Sequence, residues 1–97
     1  MIIVHDIFIC KPGNASKMAK LFKEAMKGQS EVTDIMTDMT GQYNKVVMVS
    51  KYKNLTEYEK FMEKYMQDSK EMKDMAKKMA GYQDMYLEGS REIYRVW

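Results

Sequence analysis

The sequence predicts one α+β domain in which strands and helices follow one another as βαββαβ. Three observations predict it. A β-branched and aromatic run at the start gives way to apolar residues at helical spacing, and the same change of period recurs in the second half of the chain. Short clusters of Gly, Pro, Asn and Ser separate these stretches, as brief connections do. Finally, 97 residues, 45% of them hydrophobic and 31% charged, suffice for a single folded core spanning the whole chain and are too few for two.

Each element has its own signal. Ile2, Ile3, Val4, Ile7, Phe8 and Ile9 read as a first strand that stops at Lys11, Pro12 and Gly13. Ala15, Met18, Leu21, Phe22, Ala25 and Met26 then share a helical face, with Asn14 or Ser16 able to cap it and Gly28 closing its far end. Residues 30–40 fit either period, and three threonines between Gly28 and Gly41 favour a strand. The turn residues 41–44 lead into Val46, Val47, Met48, Val49 and Tyr52, the second strand of a hairpin.

Asn54 with Glu57 three places later is a capping box, after which Leu55, Tyr58, Phe61, Met62, Tyr65 and Met66 line one helical face. Asp68 to Glu71 repeats that pattern ahead of Met72, Met75, Ala76 and Met79, so this stretch is two successive helices or one helix bent near Asp68. Tyr82 to Leu87 and Ile93 to Trp97 make a last strand, with a bulge or bend suggested at Glu88, Gly89 and Ser90. Right-handed crossovers in this order give a four-stranded antiparallel sheet with the helices on one face, the ferredoxin-like arrangement.

The strands do not alternate as a half-wet sheet would. Ile3, Ile7 and Ile9 point one way in the first strand while Ile2, Val4 and Phe8 point the other, and Val46 and Met48 oppose Val47 and Val49. Helices cover one face only, so several aliphatic side chains, each worth on the order of 1.5 to 3 kcal/mol when buried, are left for a partner. A homodimer with two sheets packed face to face is the economical solution.

Composition narrows the function classes. Sixteen basic and fourteen acidic side chains leave a formal +2, too weak a field to argue for nucleic acid or a membrane surface. Lysine stripes at Lys17, Lys20, Lys23 and Lys27, and at Lys70, Lys73, Lys77 and Lys78, are balanced by Glu24, Glu71 and Asp74 and read as solvated faces. The single Cys10, which follows apolar residues at a strand end, reads as an inert buried thiol and points to a reducing, cytoplasmic setting. His5 and Asp6 interrupt the first apolar run, so it is read as neither leader nor membrane span. No phosphate loop, catalytic triad or ordinary zinc pattern is present, and no cofactor is expected. The 12 methionines offer soft sulfur for Cu(I), but their interleaving with Phe61, Tyr65 and Ala76 reads as an adaptable hydrophobic seam.

The strand ending in Lys11-Pro12-Gly13, the Gly41 hairpin into Val46 to Tyr52, Leu55-Thr56-Glu57-Tyr58 opening the second helix, and the closing strand from Arg91 to Trp97 resemble the dimeric α+β barrel superfamily. The resemblance covers nearly the whole chain and is closest to small proteins of the antibiotic-biosynthesis monooxygenase-like and NIPSNAP-like kind. It implies a homodimer with a cleft between helices and sheet. For some relatives it implies oxidation of aromatic molecules without a cofactor, and for others haem degradation. From the haem-degrading relatives this chain departs: Asp6 stands where they carry a polar residue, usually asparagine, no helix carries a histidine, and the only tryptophan is Trp97.

The candidate site residues follow. His5, whose ordinary pKa lies nearest neutrality, is either a general base or ligand in an apolar chamber or a hydrogen-bonded core residue. Asp6, between Val4 and Phe8 on a buried face, needs a donor, which Arg91, Arg95 or a lysine can supply, or else serves a pocket. Adjacent strand residues face opposite ways, so His5 and Asp6 do not form a direct couple. Tyr52, Tyr58, Tyr65 and Tyr86, with Trp97, are candidates to line a cleft for a flat aromatic ligand, against the simpler reading that such aromatics are core. The expectation is a small-molecule binding or monooxygenase-like homodimer, or else a non-catalytic interaction domain.

Overall fold

The computed structural model describes residues 1–67 and 69–97. The elements are β1 (Ile2–Cys10), α1 (Ala15–Ala25), β2 (Val32–Thr37), β3 (Lys45–Tyr52), α2 (Leu55–Tyr65), α3 (Lys70–Lys78), a short 3₁₀ turn (Tyr82–Asp84) and β4 (Tyr86–Arg95). The four strands form one antiparallel sheet in the order β2-β3-β1-β4. This is the expected α+β ferredoxin-like topology. The second helical stretch is two pieces, while the bend expected near Asp68 lies outside the described residues.

Local chemistry sets several boundaries. The Asn54 side chain accepts the Glu57 N–H at 3.0 Å, and Ser69 accepts the Met72 N–H, so α2 and α3 each start on a satisfied cap. Asn14 occupies the cap position of α1 without a side-chain bond. Gly81 ends the helical region at φ +85°, a left-handed turn that a side chain would strain.

The β2–β3 hairpin turns on Asp38, whose carboxylate accepts the N–H groups of Thr40 and Gly41 at 2.9 and 2.6 Å and pairs with Lys45 at 3.1 Å. A Cβ at Gly41 would sit 2.7 Å from that carboxylate, so a larger residue there would push the Asp38 side chain aside.

Two details of the last strand differ from expectation. Tyr82, expected on a strand, lies in the 3₁₀ turn, because Gly81 reverses the chain just before it. Glu88, Gly89 and Ser90 pair regularly with Ile9, Phe8 and Ile7, and the irregularity falls one step earlier, where the partner of Cys10 is Tyr86. The extra residue, Leu87, is exposed.

Strand alternation divides the sheet's side chains. Ile2, Val4, Asp6, Phe8 and Cys10 face the helices together with Tyr52, Ser50, Met48 and Val46 of β3, the direct partners of the first four. Cys10, Met18, Phe22 and Val46 form the tightest part of the core, with Phe8 edge-on to Phe22 at 5.2 Å. Cys10 is buried, and burial pushes its thiol pKa up. A second group gathers Ile2, Val4 and Tyr52 against Tyr58 and Phe61, and a third gathers Met26, Met72 and Met75.

The other face carries Ile3, His5, Ile7 and Ile9 beside Val47 and Val49, and no helix covers it. Val49 at its centre is buried within the single chain, while Met36 and Tyr94 at its edges stay nearly half exposed.

Candidate functional site

Helix α2 is the least buried of the helices: none of its residues is fully covered, and Leu55 and Met66, read from the sequence as part of its apolar face, point to solvent. What α2 does provide is Tyr58, Phe61, Met62 and Tyr65, which with α3 and the 3₁₀ turn roof a cavity of about 600 Å³ over the helix-facing side of the sheet. Its floor is Asp6, Phe8, Met48, Ser50 and Tyr52, and α1 closes it with Phe22 and Met26. The volume falls within the range of small-molecule pockets.

Its polar lining comprises Ser50, Gln83 and Asp84 and a group made by Asp6, Arg91 and Tyr58. Asp6 and Arg91 are cross-strand partners in register on the same face, and Arg91 Nε donates to Asp6 Oδ1 at 2.6 Å. That hydrogen bond raises the guanidinium's pKa. The Arg91 guanidinium also lies over the Tyr58 ring, 5.9 Å from its centre. The Tyr58 hydroxyl is buried and makes no hydrogen bond among the described residues. Burial pushes its pKa up, against the pull of the Arg91 charge and of a guanidinium contact that falls short of hydrogen-bond geometry.

Deeper in, rings and thioethers dominate. Tyr52 meets Tyr58 edge-on at 5.0 Å and Phe61 at 5.4 Å, and Phe61 meets Tyr65 at 4.8 Å, a continuous aromatic wall. The Tyr65 hydroxyl donates to Met26 Sδ at 3.0 Å. Burial pushes the Tyr52 hydroxyl's pKa up to about 12 and that of Tyr65 higher still.

The candidate residues are thus distributed unevenly. Asp6, Tyr52, Tyr58 and Tyr65 come together around the cavity. His5 lies on the helix-free face, edge-on to Tyr94 at 5.3 Å, because its neighbour Asp6 takes the other side. Tyr86 packs against Phe8 and Tyr82 in the core instead of lining the cavity. Trp97 is fully exposed beside Arg95.

Sequence reasoning named Arg91 only as one possible partner of Asp6, and did not place Met26, Met72 and Met75 around a cavity. The usable signal was their helical spacing, which marks a shared face without saying what that face meets. Among the described residues, no group of three His, Cys, Asp or Glu side chains is placed to hold a metal ion, and no helix is long and apolar enough to cross a membrane.

No protein-family model matches the sequence, and no curated protein does. Solved structures do match. A NIPSNAP domain protein from Burkholderia xenovorans superposes with a TM-score of 0.80 over 100% of this chain and 95% of that one, at 10% identity. The fold is that of the NIPSNAP-like proteins. A NIPSNAP family protein from Agrobacterium tumefaciens matches at a TM-score of 0.75 and 12% identity, over 97% of this chain and 90% of that one. An antibiotic biosynthesis monooxygenase matches at a TM-score of 0.64 and 10% identity, over 100% of this chain and 99% of that one. The NIPSNAP-like and monooxygenase-like kinship suspected from the loop motifs is therefore a kinship of fold.

Proposed function

We propose that this chain binds a small, mostly apolar aromatic molecule in the cavity under α2 and α3, and that it works as a face-to-face homodimer. One observation carries the binding reading. The Tyr58 hydroxyl is buried without a partner beside the Asp6–Arg91 pair, at the edge of an apolar chamber of about 600 Å³. A buried hydroxyl left unbonded costs on the order of 1 to 3 kcal/mol, so a ligand that supplies the missing bond gains what the empty protein forgoes. Native mass spectrometry of purified protein, followed by titration of naphthol, tests it. Wild type should bind, and Tyr58→Phe should weaken binding about tenfold, the loss of one such bond. Equal affinity of the two proteins would overturn the reading.

Cofactor-independent oxidation is the second reading, favoured by Asp6 as a carboxylate acceptor lining the apolar chamber. It is the weaker one, because that carboxylate is engaged by Arg91 and the lone histidine faces away. Oxygen uptake with anthrone-like phenols, compared between wild type and Asp6→Asn, decides it. Rates at background in both would leave a binding protein without catalysis.

The dimer reading rests on the uncovered face of Ile3, Ile7, Ile9, Val47 and Val49. Sedimentation at micromolar concentration should give twice the chain mass of 11.5 kDa. Ile7→Glu, which puts a charge at the middle of that face, should give single chains.

A further inference from the structure

We propose that the cavity identifies its ligand at its ion-paired edge: Asp6, Arg91 and Tyr58 select an uncharged hydroxyl or carbonyl group, while a methionine wall adapts to bodies of different shape. The protein then takes a class of hydrophobic alcohols, phenols and ketones, planar or not. This rests on the binding reading above and deepens it.

The selection against anions follows from the charges present. Of the residues that line the cavity, two are carboxylates, Asp6 and Asp84, and one is a guanidinium, Arg91. Their sum is −1, and Arg91 already gives its Nε–H to Asp6 at 2.6 Å, so its charge is balanced within the site. A ligand carboxylate or phosphate would have to compete with Asp6 for Arg91 while lying against it. A neutral hydroxyl fits without that conflict. It donates to the second oxygen of Asp6 and accepts from the Tyr58 hydroxyl or a free guanidinium N–H, so each group keeps a partner. A carbonyl uses the donors alone.

The tolerance for shape follows from how the two walls are built. The rings of Tyr52, Tyr58, Phe61 and Tyr65 meet one another in sequence, and a ring turns on two torsions and cannot change its own shape. Adjoining them through Tyr65, Met26, Met72 and Met75 are buried against one another, with Met48 and Met79 beside them. Val32 is the one β-branched residue among those lining the cavity. Unbranched thioether chains with three rotatable bonds repack around a thick or thin ligand at small cost, whereas β-branched walls do not.

The test is displacement of the neutral fluorophore N-phenylnaphthylamine from the intact protein by four competitors of matched size. Naphthol and the non-planar decahydronaphthol should compete within about threefold of each other, and naphthoate and methylnaphthalene, which has no oxygen to offer, should be at least about tenfold weaker. Tightest binding by naphthoate would overturn the neutral edge. Failure of decahydronaphthol alone would overturn the adaptable wall. If neither the fluorophore nor any competitor binds, the binding reading fails with it, an outcome distinct from binding in the wrong order. Met72→Ile with Met75→Ile should narrow the range, costing decahydronaphthol about tenfold and naphthol less than about threefold. Equal losses for both would count against the wall, and the wild-type ranking stands as a test even where the variant fails to fold.

Discussion

Removing Arg91 is expected to cost more than removing Asp6, although they share one hydrogen bond. The Asp6 side chain keeps 16% of its exposure and the Arg91 side chain 46%. Arg91→Met retains the aliphatic stem over Tyr58 but strands a mostly covered carboxylate. Breaking a fully buried pair from one side costs about 3 to 5 kcal/mol, and an exposed pair is worth only about 0.2 to 1 kcal/mol. With one partner near each limit, Arg91→Met should lose about 2 kcal/mol. Asp6→Asn leaves a guanidinium that can turn to water and keeps a side chain able to accept one bond, so about 0.5 to 1 kcal/mol is expected.

The double variant should be more stable than Arg91→Met alone, because the stranded charge is gone, with a coupling of about 1 kcal/mol. Against the roughly 5 to 15 kcal/mol that holds a domain of this size, each step is readable by urea unfolding of the four proteins near neutral pH. Equal losses for the two single variants, or a coupling below about 0.3 kcal/mol, would refute the placement of Asp6 in the cavity wall.

Phe22 is fully buried between Phe8 and Tyr82, so Phe22→Ala should cost about 3 to 5 kcal/mol in thermal or urea unfolding. Tyr52, raised from its ordinary 10 to about 12 by burial, contributes stability that is whole below pH 10 and is lost as pH rises toward 12, because only the unfolded chain releases that proton there. Phenolate absorbance from the buried rings should therefore appear together with loss of circular dichroism; phenolate formed throughout with the fold intact would contradict this. Asp38 runs in the opposite sense. The Gly41 and Thr40 N–H groups, then Lys45, lower its pKa from 3.8 to about 2, so its contribution holds above 3.8 and fades as pH falls toward 2. Carboxyl-carbon NMR should show Asp38 titrating near the lower value, and Gly41→Ala should move it back up by displacing the carboxylate.

Much of the fold was legible because its signals are local. The 3.6-residue spacing from Met18 to Met26, the cap at Asn54, and the Val46–Val49 run each state their own conformation with no help from distant residues. The uncertain stretch at 30–40 resolved to the short strand β2, where pairing with β3 decided between two periods that local spacing left equal. The shift of the irregularity from Gly89 to Leu87 has the same origin: strand register is set by the partner, here β1.

By itself, then, the chain's sequence determined the order of its elements, the topology those elements permit, and the presence of a carboxylate at position 6 that needs a donor. It also determined that His5 and Asp6 look in opposite directions, since alternation along a strand is a property of the backbone. Tertiary structure alone decided that Arg91, 85 positions away, is that donor, that Tyr58 stands above the pair, and that methionines from α1 and α3 face the same space. Spacing along a chain says which side chains share a face. Only packing says what that face meets and whether a gap remains between them, because a cavity is where elements distant in sequence fail to close.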